Sequence, residues 1–359
     1  MENILSFHKN SLIDYVVRVF RALGVPEEDA QIAADVLVSA DLRGIHSHGV
    51  IRLNSYYGSR LKSGRINPNT PIKTIQEQAS SLVLDGGNGL GPVVACKAMS
   101  QCIAKAKTAG LALTTVRNSN HFGIAGYYAM MALTEEMIGI SLTNSQPLVA
   151  PTYGRNPALG TNPIALAAPA GRERPYVLDM ATSIVSIGKI VVYEKTGQAI
   201  PDGWGINQAG ESTSDPSEVH QGGALLPLGG LAEMRGYKGY GLSMMVDLLS
   251  GILSGAAYGK KVGNPGEVGI ANVGHFFAAI KIENFRPVVE FKADMDDYIE
   301  MLKAEQKIPG EDKIYIPGEK EFVLMEKYET EGIPLAVEIV DSLKQAGDAI
   351  NIPFDLQPA

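Results

Sequence analysis

Two histidines, a serine and an arginine lie close together near the start of the chain. His46, Ser47, His48 and Arg52 follow an apolar, alanine-rich helical stretch, in a chain with only 6 histidines. Histidine can both take and give a proton near neutral pH. Arginine can hold a carboxylate through two parallel hydrogen bonds, and a helical segment would place Arg52 on the same face as His48. The pattern indicates an enzyme that moves a proton on a small acidic metabolite.

A third histidine lies where ligands often bind. His121 comes just after the apolar run 111–116 and has Gly123 close by, and ligand sites in α/β sheets gather at the carboxyl ends of strands. A hydrogen-bonded structural histidine is the alternative. Lys238, among glycines at the start of an apolar helix, would suit an anion or polar ligand; a solvated loop lysine is its alternative.

Three polar segments end apolar runs at residues 143–147, 159–163 and 178–183. Each presents small hydrogen-bonding side chains and free backbone amides, although each by itself is ordinary turn chemistry. Three such segments in succession favour a flat polar ligand such as a nicotinamide.

The glycine-rich turn at 84–91 follows a strand and opens a helix, as in a Rossmann dinucleotide site. Its spacing is G-x-G-x-G rather than G-x-G-x-x-G, and no acidic residue follows about twenty residues later. We therefore expect a structural turn. Zinc held by His46, His48 and His121 is a weaker alternative, since no clear acidic or cysteine ligand accompanies them.

The overall composition excludes several classes of protein. The net charge of −8 and the lack of long basic runs argue against nucleic-acid and membrane partners. The first residues lack a signal-peptide pattern, and the two cysteines suit a reducing compartment, so we expect a cytoplasmic protein. The apolar stretch 241–257 contains Gly, Ser and Asp, and predicts a buried helix rather than a membrane span.

The order of predicted elements indicates an α/β fold. Helices are predicted over Ser11–Leu23 and Glu28–Leu42, and again over Ala293–Lys307 and Glu319–Ala346. Between them, short strands alternate with glycine-rich turns and helices; these strands are predicted at 81–84, 111–116, 138–143, 176–178 and 276–282. We expect an N-terminal helical segment (1–70), a central domain (71–285) and a C-terminal helical segment (286–359) that packs on the first.

These motifs together resemble the malate/L-lactate dehydrogenase family, which also contains sulfolactate, ureidoglycolate and diketogulonate oxidoreductases. The resemblance runs nearly from end to end of the chain. The matching segments are Asp41–Gly49, Asn118–Gly126, Gly160–Pro163, Leu178–Ala181, Gly236–Leu242 and Val273–Phe277.

The resemblance implies a non-Rossmann NAD(P)-binding fold with a mixed, largely antiparallel sheet, and a homodimer whose subunits share cofactor sites. It implies that His48 is the proton donor and acceptor, with His121 as the alternative. Arg52, four residues after His48, and Ser47 beside His48 are the expected substrate contacts. The implied cofactor contacts are Ser145, Thr161, Asn162, Asp179, Met180, Ala181 and Lys238.

The implied reaction is hydride transfer between nicotinamide and a small 2-hydroxy or 2-oxo acid. Malate with oxaloacetate is the leading substrate pair, and lactate, sulfolactate and ureidoglycolate are the alternatives. NAD is the expected cofactor, with NADP still open. A metal-dependent hydrolase and a non-catalytic binding protein are the rivals from other classes; the second predicts damage to the set of His48, Arg52, His121 and Lys238, and all four are present.

Overall fold

The computed structural model describes residues 4–263 and 269–359. Within these ranges the strands are β1 (Ile4–Phe7), β2 (Lys73–Glu77), β3 (Ser81–Asp85), β4 (Leu111–Ser119), β5 (Met137–Thr143), β6 (Ile164–Ala168), β7 (Tyr176–Met180), β8 (Gly205–Ile206), β9 (Ala224–Leu225), β10 (Val273–Lys281) and β11 (Ile333–Ala336). The helices are α1 (Lys9–Ala22), α2 (Glu27–Leu42), α3 (Ser59–Lys62), α4 (Gly91–Ala109), α5 (Ala125–Met131), α6 (Ile187–Lys195), α7 (Pro216–His220), α8 (Tyr237–Val246), α9 (Val288–Ala304), α10 (Glu319–Glu331) and α11 (Val337–Asp348). Short 3₁₀ turns and two π-helical segments, Leu53–Gly58 and Asp247–Ile252, connect some of them.

The centre of the molecule is a seven-stranded sheet in the order β2-β3-β4-β10-β5-β6-β7. Among the described strands only β3 and β4 are parallel neighbours, and every other adjacent pair in this sheet is antiparallel. The predicted mixed, largely antiparallel sheet is confirmed. β4 and β5 both run antiparallel to β10, and β7 runs the same way as they do. Their carboxyl ends therefore meet at one edge, which we call the site edge.

The two ends of the chain form one helical layer, as predicted. β1 pairs antiparallel with β11, so that Ile4 lies opposite Ala336. Buried side chains of α1, α2 and α11 share one core with Leu53 and Leu335. α2 begins after Pro26 with three acidic residues in its first turn, where the helix dipole favours them. The boundaries at residues 70 and 285 stay a prediction.

Two predicted helices are wrong in part. The stretch Glu319–Ala346 is interrupted because Gly332, at φ +84°, ends α10 and the next four residues form β11. The stretch 241–257 is not buried on all sides, because Met244, Leu248 and Ile252 are exposed. Among the described residues, no helix has both the length and the apolar character needed to cross a bilayer.

Candidate active site

A cleft at the site edge brings together six of the predicted residues. Its volume is about 180 Å³, below the roughly 300–1,000 Å³ of pockets that enclose drug-sized ligands. It therefore fits a small acid beside one ring of a larger molecule. The predicted residues that line it are Ser47, His48, Arg52, His121, Ser145 and Thr161.

The loop that carries His48 is folded around one buried carboxylate. Asp41, at the end of α2, accepts hydrogen bonds from Nδ1 of His46 at 2.8 Å and from the backbone N–H of Val50 at 2.7 Å. A Cβ at Gly49 would lie 2.1 Å from this carboxylate, so only glycine allows the approach. Asp41 thus fixes both ends of the loop and holds His46 away from the cleft.

His48 and Arg52 point into the cleft from this loop and from the helical turn after it. The hydroxyl Oγ of Ser47 lies 2.8 Å from Nδ1 of His48, and Nε of Arg52 donates to the backbone oxygen of Ser47 at 2.7 Å. Burial, together with the nearby Arg52 cation, lowers the pKa of His48 to about 4. The imidazole of His48 is therefore neutral near pH 7, the form that can accept a proton.

His121 faces His48 across the cleft. The two rings stack with centroids 5.5 Å apart and an interplanar angle of 19°. Oη of Tyr57 lies 3.1 Å from Nδ1 of His121, and the backbone N–H of His121 donates to Oη of Tyr56 at 3.3 Å. Burial lowers the pKa of His121 well below its usual range, and His48, Arg52 and His275 add to this effect.

Sequence reasoning missed the two tyrosines, although a signal was present. Tyr56 stands four residues after Arg52, which places both on one face of a helix. The structure places Arg52 and Tyr56 in the cleft lining, whereas Tyr57 contacts Nδ1 of His121.

The loops after β5 and before β6 are tied together by side chains. The backbone N–H of Thr161 donates to Oγ of Ser145 at 3.1 Å, and Oδ1 of Asn162 accepts from the Ser145 N–H at 3.1 Å. Asn162 is fully buried and also donates to the backbone oxygen of Ser243 in α8. Ser145 and Thr161 face the cleft, whereas Asn162 holds their loops in place.

A buried histidine, His275, connects the two strands that lead to His121 and Ser145. His275 in β10 is bonded through Nδ1 to Thr143 and through Nε2 to Ser119, at 2.8 Å in each case. Its ring stacks on Phe122 with centroids 4.7 Å apart, and burial lowers its pKa to about 3. It joins the ends of β4 and β5, which lead to His121 and Ser145.

Asp179 lies in a second cleft that continues along the same loops. It accepts the backbone N–H of Gly126 at 2.7 Å, and Arg43 and Ile45 line this cleft with it. The Asp179 side chain reaches the cleft, but desolvation by the surrounding protein raises its pKa to about 6. Ile45 is two residues from Ser47, and Gly126 is three from Gly123, so the two clefts are neighbours.

The remaining predicted contacts lie elsewhere. Met180 and Ala181 are half-buried at the end of β7 and line neither cleft. Lys238 is exposed at the first turn of α8, outside both clefts. Their roles toward a cofactor stay predictions.

The glycine-rich turn after β3 is structural, as expected. The backbone N–H of Leu90, just before α4, donates to Oγ1 of Thr70 at 3.2 Å, and Asn120 donates to the backbone oxygen of Gly89. A Cβ at Gly91 would lie 2.1 Å from the backbone oxygen of His121. The turn thus packs against the His121 loop, where a Rossmann turn would leave room for a pyrophosphate.

The family model described as malate/L-lactate dehydrogenase matches residues 7–344. The chain belongs to the malate/L-lactate dehydrogenase family.

Within this family, the chain is 53% identical over 352 residues to a malate dehydrogenase of Pyrococcus abyssi, covering 98% of this chain and 96% of that protein. It is 39% identical to a malate/(S)-sulfolactate dehydrogenase of Methanothermus fervidus, covering 94% and 96%. The solved structure of malate dehydrogenase from Pyrococcus horikoshii has a TM-score of 0.91 at 48% identity, covering 98% and 97%. Membership establishes a dehydrogenase, and its dehydrogenase relatives imply a small-molecule acid as substrate and a nicotinamide cofactor.

His46, His48 and His121 do not form a metal site in this fold. His46 is bonded to Asp41 and does not line the cleft. Within residues 4–263 and 269–359, no three His, Cys, Asp or Glu side chains converge in the way that metal ligands do.

Proposed function

We propose that this chain is an NAD-dependent malate dehydrogenase in which His48 transfers the proton and Arg52 holds the substrate carboxylate. One observation carries the proposal: His48, His121 and Arg52 share a small cleft with Ser145 and Thr161. The named malate dehydrogenases at about half identity support malate as the substrate.

The cleft fits a nicotinamide ring. Oε1 of Gln146 is buried there without a hydrogen-bond partner among the described residues. A carboxamide N–H₂ is the kind of donor that such an acceptor requires. The Ser145 and Thr161 hydroxyls lie 3.3 Å apart beside it. When bound, the nicotinamide accepts or supplies the hydride at C4.

The protein residues handle the charge and the proton. The guanidinium of Arg52 binds the C1 carboxylate and orients C2. In the oxidation direction, the neutral His48 accepts the proton of the C2 hydroxyl. In the reduction direction, the Arg52–carboxylate pair weakens the repulsion that lowers the pKa of His48, which helps it to hold the proton it must give.

The test is oxidation of NADH and NADPH by the purified protein with oxaloacetate, pyruvate, sulfopyruvate or no substrate. We expect the highest kcat/KM with oxaloacetate and NADH. A preference for sulfopyruvate would favour the second candidate, a sulfolactate dehydrogenase, for which the Methanothermus relative is named. No turnover of any 2-oxo acid would contradict the proposal.

The second cleft supports the choice of NAD. A dinucleotide that places its nicotinamide beside His48 would extend along the shared loops toward Asp179. The Asp179 carboxylate can accept a hydrogen bond from a ribose hydroxyl and would repel a 2′-phosphate placed beside it, although Arg43 and Lys320 also line this cleft.

We also infer a homodimer through α8 and the following π-helical segment. The exposed apolar residues recur at helical spacing along one face, at Tyr237, Met244, Met245, Leu248 and Ile252. The opposite face is packed on the sheet. An exposed apolar stripe along two successive helical segments is typical of a surface that a second copy covers. Lys238 lies at the start of the same face, so its predicted cofactor contact would be made across the dimer.

The dimer predicts a specific mutational effect. Leu248→Glu would place a charge on the covered face, and we expect a monomer by light scattering. Val289→Glu, on an exposed site of α9, is the control and should leave the mass unchanged. A wild-type protein that is monomeric at micromolar concentration would contradict this inference.

A further inference from the structure

The two histidines of the active-site cleft differ in what surrounds Nδ1. At His121, the backbone N–H of Gly123 donates to Nδ1 at 3.2 Å, and Oη of Tyr57 lies 3.1 Å from the same nitrogen. A backbone N–H can only donate, so Nδ1 must be the acceptor. A neutral imidazole has one N–H, which His121 must therefore carry on Nε2.

Protonation of His121 would place two donors against each other. An N–H at Nδ1 would point at the backbone N–H of Gly123, which can act only as a hydrogen-bond donor. The titratable and charged groups that face His121 are His48, Arg52, His275, Tyr56 and Tyr57. All of them are neutral or cationic near neutral pH, so none stabilises an imidazolium there.

His48 has no such restriction. Its Nδ1 is bonded to the hydroxyl of Ser47 at 2.8 Å, and a hydroxyl can either donate or accept. His48 can therefore carry its proton on either nitrogen, or on both, without a clash between donors.

Building on the proposed function, we propose that His121 is locked as the neutral Nε2–H tautomer and acts only as a hydrogen-bond donor to the C2 oxygen of the substrate. Tyr57 is the positioning residue that fixes this ring. In reduction, the hydride from nicotinamide bonds to C2 and the carbonyl π pair moves onto oxygen. Nε2–H of His121 stabilises that oxygen, and His48 alone delivers the proton, becoming neutral. The two rings thus have separate roles: His121 donates a hydrogen bond, and His48 transfers the proton.

The tautomer can be measured without catalysis. Ring ¹⁵N NMR spectra of protein labelled only at its 6 histidines distinguish the two neutral tautomers and the imidazolium. The resonances of His121 are those absent from His121→Gln. We expect the Nε2–H pattern at pH 7, unchanged down to pH 5 in the cofactor-free protein. An Nδ1–H pattern, or titration between pH 5 and 7, would overturn the proposal.

Conservative variants then separate donation from proton transfer. The amide nitrogen of Gln can occupy the place of Nε2, so His121→Gln keeps a donor that cannot titrate. We expect His121→Ala to lose about 10²–10³-fold in kcat, as for loss of an oxyanion donor, and His121→Gln to retain at least about tenfold more. His48→Gln and His48→Ala should be equally impaired, by about 10²–10⁴-fold. Equal loss in His121→Gln and His121→Ala would overturn the donor role.

Tyr57→Phe tests the positioning role. Oη of Tyr57 also lies 3.1 Å from the backbone oxygen of His121. Tyr15→Phe is therefore the matched control, because Tyr15 is fully buried too and donates to a backbone oxygen, that of Leu343, far from the cleft. We expect a similar fall in the denaturation midpoint of both variants. Only Tyr57→Phe should also show a roughly tenfold lower kcat, an unchanged KM and shifted His121 ring resonances. Identical kcat values in the two variants would overturn the role of Tyr57.

The proposed function and this inference can fail separately. If no 2-oxo acid is turned over, the proposed function fails, and the ring spectrum of the cofactor-free protein still decides the tautomer. If oxaloacetate is reduced but His121 is protonated on Nδ1, the proposed function stands, and the separate roles of His121 and His48 are wrong.

Discussion

Arg52 and His48 are coupled through charge as well as through the loop that carries them. The Arg52 cation contributes to the lowered pKa of His48, after burial. Under the proposed function, a substrate carboxylate bound to Arg52 would weaken that effect, and we expect substrate binding to prepare His48 to hold a proton.

Arg52→Gln should move the pH dependence in a defined direction. Removing a cation favours the imidazolium, so the pKa of His48 rises. Oxidation requires neutral His48, and the acidic limb of log kcat/KM for malate should therefore shift to higher pH. KM should also rise through loss of the carboxylate contact. Arg18→Gln, which removes a surface pair with Asp355, is the control. An acidic limb that stays in place would show that Arg52 does not act on His48.

Asp179 makes a prediction about the choice of nucleotide. Asp179→Ser removes the carboxylate from the second cleft and leaves a hydroxyl. We expect the kcat/KM ratio of NADPH to NADH to rise by about tenfold, because a 2′-phosphate is no longer repelled. Glu300→Ser, which removes an exposed carboxylate paired with Arg172, should leave the ratio unchanged. An unchanged ratio in Asp179→Ser would place the adenosine elsewhere.

Helix α4 positions the His121 loop through the contact at its first residue. Gly91→Ala would push its Cβ against the backbone oxygens of Asn120 and His121. We expect a loss of about 1–3 kcal/mol in the free energy of unfolding and a fall in kcat larger than in Ser100→Ala, an exposed site on the same helix. Both are measured by urea denaturation and steady-state kinetics. Wild-type kcat in Gly91→Ala would show that the loop tolerates displacement.

Elements differ in how far their local sequence defines them. α1 and α2 were predicted to within about two residues, because apolar periodicity and the Pro26 start signal are local. β11 was missed because Ile333–Ala336 stands between two helical patterns and becomes a strand only by pairing with β1. The exposed face of α8 was missed because composition alone does not show which apolar residues the fold covers.

Across the molecule, the two ends of the chain stabilise the segment that carries His48. Leu335 in β11 belongs to the same buried core as Leu37 in α2 and Leu53 after Arg52. The C-terminal segment therefore stabilises the segment that carries His48.

Leu335→Ala tests this link. Leu335 is 0% exposed, so we expect a loss of about 2–5 kcal/mol in the free energy of unfolding. Ile4→Ala is the matched control on the partner strand, where the side chain is 57% exposed, and should cost less than about 1 kcal/mol. Chemical denaturation followed by circular dichroism measures both. Equal costs would show that the terminal pair is not part of the core.

The sequence was sufficient to identify the family, the α/β class, the mixed sheet and, as candidates, His48, Arg52, His121, Ser145 and Thr161. These follow from residue types and spacings within short segments, which local chemistry and resemblance can identify. The dimer and the cytoplasmic location stay predictions.

Which of those groups meet became visible in the tertiary structure. It placed Asp179 in a second cleft and Lys238 on an exposed face, and it showed that Tyr57 and Gly123 surround one ring nitrogen of His121. The reason is physical: hydrogen bonds and burial join segments far apart in the chain, such as Tyr57 with His121, and no local pattern records which distant donor will reach a given acceptor.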